Sequence, residues 1–349
     1  MIVIPAVVLG SFLGVVSLMN QVPEEQETIT VEQQQSQFLP VGEAFSIMTF
    51  NIGYGGLDQD RDFFMDGGVE SRSESLERTL ENTREMIDFL TYNPSDIMLL
   101  QEVDIRSSRS FNVNQVAEFK EAFPHYAHAF GWNYRALWVP VPMMRPMGYT
   151  DSGISTFSRY AIEQAVRYQL PGSEAWPRQL FDLDRCMVEA RIPVENGQTL
   201  ILVNLHLSAY DKGGKVREQQ LGFLKQYLTE QAALGHYVIA GGDWNHLLDP
   251  TQLTNPDFLD QWPEWLMPLP KDFTPPGYQW VVDKNVFTVR DNATPYRAGE
   301  TFTTVIDGFL VSENIRIHEV AGYDLGFVNS DHNPVSAVLS LIPEDLGGE

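Results

Sequence analysis

Four short polar motifs each close a hydrophobic run: Thr49-Phe50-Asn51, Leu100-Gln101-Glu102, Gly242-Asp243-Trp244-Asn245 and Ser330-Asp331-His332. Two further polar groups sit in apolar surroundings. His206 follows the run Leu200 to Leu205, and Asp307 interrupts Val305-Ile306-Asp307-Gly308-Phe309. Strand ends can bring residues that are distant in sequence to one cleft. Carboxylate, carboxamide and imidazole are the groups that hold a hard divalent cation and a phosphate beside a water. The chemistry expected is metal-dependent hydrolysis of a phosphoester.

Each residue has an expected role. Glu102 closes so apolar a strand that it needs a partner or a ligand, and it is the first choice for the principal metal ligand. Asn51 offers an amide oxygen to a metal or an N–H to a phosphate, and Asp331 is a second carboxylate ligand. In Gly242-Asp243-Trp244-Asn245 the residues at 243 and 245 share one face of an extended segment. Asp243 suits proton transfer from an attacking water, and Asn245 suits a phosphate oxygen. His206 alternates with Leu205 and Leu207, so it points to the face opposite them, which Asn204 shares. Asp307 is expected to fix the tautomer of His332. Asp104 reads as a loop charge.

The elements that position these groups alternate between strand and helix from about Phe45 onward. Strands are expected at 47–50, 97–100, 154–157, 187–192, 200–205, 237–240, 306–311 and 335–339. Leu76, Leu80, Thr83, Ile87 and Leu90 recur at helical spacing within 73–90, and Leu221, Leu224, Leu228 and Ala232 do so within 216–233. Val116, Phe119 and Phe123 suggest a further helix. The Pro- and Trp-rich stretch 251–296 is expected to form loops over the site rim. Its Trp262, Trp265, Phe273, Tyr278 and Trp280 are candidates either for loop packing or for lipid contact. The expected class is α/β: a four-layer sandwich of two packed mixed sheets flanked by helices, in one domain over 43–343.

Of 349 residues, 47 are acidic and 23 basic, a net charge of −24. That balance disfavours broad contact with a duplex backbone, which needs a positive footprint. The single cysteine, Cys186, excludes an intrachain disulfide and a thiolate zinc cluster. A zinc hydrolase is further disfavoured by the lack of HxxxH spacing. Met1 to Met19 carries no charge and, as a helix, would cover roughly the thickness of a bilayer core. A signal-anchor or signal peptide is expected over 1–20, then a polar linker over 21–42 and, after the domain, a tail over 344–349. That arrangement places the catalytic domain outside the cytoplasm, at the cell membrane or secreted. The first basic residue is Arg61, so charge gives no orientation.

The ordered set Asn51, Gln101-Glu102, His206, Asp243 with Asn245, Asp307 and Ser330-Asp331-His332 resembles the endonuclease/exonuclease/phosphatase superfamily with its DNase I-like fold. Ser152-Gly153-Ile154-Ser155-Thr156-Phe157-Ser158-Arg159 is similar to another segment of that family. The resemblance covers about 45–342. It implies hydrolysis of phosphodiesters or phosphomonoesters with a divalent metal, Mg²⁺ in the first place and Mn²⁺ as an alternative. It implies Asn51, Glu102 and Asp331 at the metal, and His206, Asp243, Asn245, Asp307 and His332 in catalysis. Substrates in the family include DNA, RNA, inositol phosphates and sphingomyelin. A lipid headgroup or small phosphoester is expected here rather than duplex DNA, with a sphingomyelinase- or phospholipase C-like enzyme, an extracellular nuclease and an inactive interaction module as alternatives. Val103 stands where abasic-site nucleases typically carry Thr. The segment 63–72 departs from the general pattern; it is a candidate to mark a subfamily and shape the pocket, with Arg72 a candidate phosphate contact, or equally a surface loop. Tyr134, Arg135 and Arg185 are further candidates for substrate binding.

Overall fold

The computed structural model describes residues 3–343 apart from 212 and 255–258, with side chains from residue 7 onward. The tail expected at 344–349 lies outside the described residues. Helix α1 (Val3–Met19) precedes strands β1 (Gln26–Ile29), β2 (Val31–Glu32) and β3 (Ala44–Asn51), helix α2 (Leu76–Tyr92), β4 (Ile97–Asp104) and helix α3 (Gln115–Ala122). Next come β5 (Ala127–Val139), β6 (Gly148–Ser158), β7 (Gln164–Gln169), β8 (Cys186–Pro193), β9 (Thr199–His206), helix α4 (Lys215–Ala233) and β10 (Tyr237–Asp243). The remaining strands are β11 (His246–Leu247), β12 (Met267–Pro268), β13 (Tyr278–Val281), β14 (Val289–Arg290), β15 (Thr303–Thr304), β16 (Asp307–Ser312), β17 (Ile315–Gly322) and β18 (Val335–Leu341).

Two seven-stranded mixed sheets result, ordered β1-β7-β8-β9-β10-β16-β13 and β17-β18-β3-β4-β6-β5-β2. Their inner faces share a core that includes Ile47, Leu99, Val188, Leu202, Ile239, Phe309 and Leu339. Helix α4 covers the outer face of the first sheet through Leu221, Leu224 and Leu228. Helices α2 and α3 cover the second through Met86, Leu90, Val116 and Phe119. Because both faces of each sheet are covered, central strands such as 97–100 and 200–205 read as continuous apolar runs rather than alternating ones. The fold is the expected four-layer α/β sandwich.

Several elements differ from the sequence reading. The polar segment 21–42 is no free tether. β1 pairs with β7 and β2 with β5, so the segment adds an edge strand to each sheet. An edge strand is held by backbone pairing and needs few buried side chains; here Ile29 and Leu39 supply them. β5, β7 and β17 were not expected as strands. In β5 two register shifts, near Trp132/Tyr134 and Ala136/Val139, break the two-residue alternation that would reveal a strand. Helix α2 buries Thr79, Asn82, Thr83, Met86 and Leu90 and leaves Leu76 exposed. Its inner face is partly polar because Asn82 Nδ2 bonds the Gly55 carbonyl and Asp58, each at 3.0 Å. In the aromatic stretch, Phe273 and Trp280 pack on the buried Trp244, with centroids 6.0 and 4.7 Å away, and Trp265 is buried. This is loop packing rather than a lipid-facing rim.

β9 and β10 run parallel and very close at Gly242. Its φ is +143°, and a Cβ there would lie 2.0 Å from the Leu205 carbonyl oxygen. Only glycine fits. Gly242→Ala is expected to destabilise the fold by at least about 2 kcal/mol, read as a lowered Tm. An unchanged Tm would show that the two strands can separate without cost.

Candidate active site

Strand register assembles the site. His206 on β9, Asp243 on β10 and Asp307 on β16 are direct partners across three adjacent strands of one sheet. Asn51 on β3 and Gln101 on β4 are partners in the other. Two bonds join the sheets at this end. Asn51 Nδ2 donates to Asp243 Oδ2 at 3.0 Å, and Gln101 Nε2 donates to Asn204 Oδ1 at 2.8 Å. The loop before β18 brings in Asp331 and His332. Ser330 anchors that loop by donating to the Asn51 carbonyl at 2.8 Å.

Asp243 is the centre of this array. The Asn245 amide donates to its Oδ1 at 2.9 Å; His206 Nε2 and His332 Nε2 lie 3.3 and 3.7 Å from its Oδ2. Burial drives its pKa up; His332 opposes that and Asp307 adds to it, and the balance is about 7. Burial alone would lower the pKa of His332, but Asp307, bonded to Nδ1 at 2.8 Å, and Asp243 outweigh it and raise the value to about 10. His206 is held well below its ordinary range by burial and by the nearby Arg185, so its ring is neutral. Near neutral pH the site therefore combines a carboxylate poised to take a proton with an imidazolium and a neutral imidazole beside it.

Glu102 reaches the same pocket through a backbone irregularity. Its φ is +55°, where β4 shifts register against β6 between Leu100 and Val103. Such a bulge redirects a side chain that would otherwise follow the strand's alternation. Burial raises the Glu102 pKa, Arg109 lowers it, and Asp331 raises it again. Two mutually repelling carboxylates are thus gathered with the Asn51 amide. Asn51 Oδ1 accepts from Gly53 N at 3.0 Å, and Asn292 Nδ2 donates to Asp331 at 2.8 Å. Gly53 has φ +50°, and a Cβ on it would stand 2.9 Å from Asp331 Oδ1, so glycine is what lets Asp331 approach. The donors Glu102, Asp331 and Asn51 are all oxygen and suit a hard divalent cation. A second cluster, Asp243, Asp307 and His332, also has ligand atoms within 4.8 Å of one another. Its His332–Asp307 bond makes it a set for holding protons rather than a metal.

One pocket of ≈ 80 Å³ is lined by Asn51, Glu102, His206, Asp243, Asn245, Asp331 and His332. Of the substrate-binding candidates, Tyr134 and Arg185 line it too. Arg72 does not. Its guanidinium is spent on the Pro146 carbonyl, with Nε at 2.8 Å. Nor does Arg135, which stacks on Trp132 at 3.5 Å and pairs with Asp151. Asp104 is no loop charge. It is fully buried and pairs with Arg109 at 3.0 Å. Arg109, Asp66, Tyr210, Arg290 and Asn292 also line the pocket and were not expected. Arg109 had a signal: two acidic residues, Glu102 and Asp104, at the end of a buried strand need a nearby cation. Asp66 belongs to the segment 63–72, a candidate to shape the pocket, whereas Tyr210 comes from a loop without any pattern. Tyr210 donates to Asp66 at 2.7 Å, and burial pushes the Asp66 carboxyl up to about 7.

Removing the Asp307 carboxylate should release the His332 proton at lower pH. Asp307→Asn is expected to lower the His332 pKa by about one unit or more, followed by NMR of the imidazole during a pH titration. A value still near that of the unaltered protein would assign the stabilisation to Asp243 alone.

The profile of the Endonuclease/Exonuclease/phosphatase family matches residues 48–332. No curated protein matches the sequence. Among solved structures, the endonuclease/exonuclease/phosphatase from Beutenbergia cavernae is similar with a TM-score of 0.59 at 16% identity, over 86% of this chain and 72% of that one. The endonuclease/exonuclease/phosphatase from Bacteroides vulgatus gives 0.53 at 18% identity, over 86% and 99%. D. rerio TDP2 complexed with a single-strand DNA product gives 0.53 at 17% identity, over 85% and 99%. At these identities the structures speak for the fold, and the family profile, spanning most of the chain, carries the assignment: the protein belongs to the Endonuclease/Exonuclease/phosphatase family of hydrolases.

Proposed function

We propose that the chain is a divalent-metal-dependent phosphoesterase in which Asp243 activates water for in-line attack on phosphorus. The observation that carries this reading is the environment of Asp243, a buried carboxylate with a pKa near 7, flanked by an imidazolium and a neutral imidazole in the pocket that gathers Glu102 and Asp331. Mg²⁺, with Mn²⁺ as the alternative, held by Glu102, Asp331 and the amide oxygen of Asn51, would supply Lewis-acid polarisation of a phosphoryl oxygen. Asp243 takes the water's proton as the new O–P bond forms and the opposite P–O bond breaks, the leaving oxygen carrying off the electron pair and taking a proton from solvent. His332, kept cationic by Asp307, and neutral His206 donate to oxygens on which negative charge accumulates. Asn245 holds Asp243 through its backbone amide, while its side-chain Nδ2 donates to the Leu207 carbonyl at 2.8 Å.

A small phosphoester or a lipid headgroup fits better than duplex DNA. The chain carries net −24, and the segment 61–73 lines the pocket with Phe63, Met65 and Asp66. Ser71 Oγ and Arg72 tie that segment to the Arg145 and Pro146 carbonyls at 2.6 and 2.8 Å, and Arg145 bonds Glu70 at 2.6 Å. The TDP2 structure holds a single-strand DNA product; the acidic surface of the present chain does not favour that substrate.

A bilayer is the partner this surface favours. Among the described residues no helix is long and apolar enough to cross a membrane. Uncharged α1 nonetheless exposes Val7, Val8, Leu9 and Leu18 while Phe12 stacks on Phe181. The end of β5 and its connection to β6 expose Trp138, Met143 and Met144, the two methionines 89% and 97% exposed. Surface attachment through these groups would bring the pocket to a lipid headgroup.

Asp243→Asn should cut turnover of a generic aryl phosphodiester or monoester by about 10²–10⁴-fold with an unchanged circular dichroism spectrum, and EDTA should abolish the activity of the unaltered chain until Mg²⁺ is restored. Full turnover by the folded variant removes Asp243 from the chemistry; EDTA resistance removes the metal. Met143→Glu with Met144→Glu should weaken sedimentation of the full chain with phosphatidylcholine vesicles by about tenfold. Equal sedimentation would sink the bilayer contact.

A further inference from the structure

Arg185 is a buried arginine that the fold does not use. It is 8% exposed, and its Nη1 is buried without a hydrogen-bond partner. No described residue makes a hydrogen bond or ion pair to its guanidinium, whereas Arg109 and Arg217, buried to a similar degree, are locked to Asp104 and Asp211. Burying a charged donor with nothing to bond is costly. The surroundings show what offsets that cost. Arg185 lines the pocket together with Glu102, Asp243 and His206, and its charge bears on all three.

Arg185 also lines a second cavity of ≈ 590 Å³, which shares Met65, Leu183, Ala209 and Tyr210 with the first. Five carboxylates, Glu25, Glu174, Asp182, Asp184 and Asp211, line this second space, against Arg178 as the only other basic group among the described lining residues. Arg178 is itself paired with Glu174 and Asp182. A polyanion entering there meets repulsion, while an uncharged or cationic organic group does not.

We propose that Arg185 grips the scissile phosphate at the doorway between the two cavities, and that the larger cavity seats the organic part of a phosphoester carrying no second phosphate. This rests on the phosphoesterase reading and deepens it by naming the substrate class. The guanidinium offers paired N–H groups to two phosphoryl oxygens, which an ammonium cannot match in geometry. The residue has no fold partner to leave, so the bond to substrate forms without breaking another.

The test uses the full chain, metal-free, titrated calorimetrically with inorganic phosphate, so its outcome does not depend on turnover. Arg185→Met should bind phosphate at least about tenfold more weakly, and Arg185→Lys should recover part of that loss. With no buried charge left unpaired, Arg185→Met should also raise Tm in phosphate-free buffer by roughly 2 °C. If Arg185→Met does not fold, Arg185→Gln and Arg185→Lys are titrated in its place. Unchanged phosphate affinity in the folded variants overturns the grip, whatever their Tm, and makes Arg185 a structural residue. For the cavity, polyol monophosphate should compete with phosphate at least about tenfold better than the bisphosphate of the same polyol. Equal or reversed competition overturns the single-phosphate class. If Asp243→Asn keeps full turnover while Arg185→Met loses phosphate, the error lies in the assigned base and not in Arg185.

Discussion

A cationic imidazole buried between two carboxylates sets the architecture of this end of the molecule. Asp243 and Asp307 are register partners on β10 and β16, and two like charges placed opposite each other across an antiparallel pair repel. His332 resolves the conflict, with Nδ1 2.8 Å from Asp307 and Nε2 3.7 Å from Asp243. The His332 ring cannot leave without stranding both acids in a dry interior. The loop carrying it returns to this edge, and β18 pairs with β3. Through that pairing one sheet delivers an imidazolium to carboxylates rooted in the other.

The same end of the structure stores backbone strain. Glu102, Asn245 and Tyr54 have φ of +55°, +49° and +45°, a region that costs a non-glycine residue of order 1–3 kcal/mol. Each departure re-aims a chain at the pocket mouth. Glu102 turns out of its strand, and Asn245 folds back so that its amide caps Asp243. The strain persists because the sheets are bonded across their interface here, Asn51 to Asp243 and Gln101 to Asn204. Neither bond holds the fold alone. Together they fix the separation of the two sheets at the pocket, where groups from both meet.

Most of this was legible in the sequence for one physical reason. Residues at the ends of central strands announce themselves, because a polar group closing an apolar run has few structural reasons to be there. Asn51, Glu102, His206 and Asp243 stand out that way and line one pocket, while Asp307, which stands out for the same reason, sits behind it and bonds His332 Nδ1 at 2.8 Å. What was not legible follows the opposite rule. Asp66, Tyr210 and Asn292 belong to loops whose approach to the pocket is set by tertiary contacts such as the bond from the Phe63 amide to the Asn292 carbonyl, and no local period encodes those. The segment 21–42 was misread as a tether because composition reports side-chain burial, whereas an edge strand is held by its backbone. Arg72 and Arg135 were credited with substrate contact on charge alone. Charge type does not reveal whether a guanidinium is already committed.

That distinction separates the arginines around the pocket. Arg109 is bound to Asp104 and Glu102 and lies over the Tyr54 ring at 4.0 Å, so it holds Glu102 in place and has little left to offer a ligand. Arg290 donates to the Leu57, Asp58 and Arg61 carbonyls and thereby fixes the loop that follows β3. Both are lining residues most of whose donors are taken by the protein, Arg290 Nε being the exception. Because carboxylates so outnumber basic groups in this chain, almost every cation placed near the site is captured by an acid or a carbonyl. A guanidinium that escapes capture while staying buried is exceptional in such a background. Under the single-phosphate proposal the acidic surroundings would exclude extended polyanions at long range and leave short-range attraction to one phosphate at the doorway between the cavities.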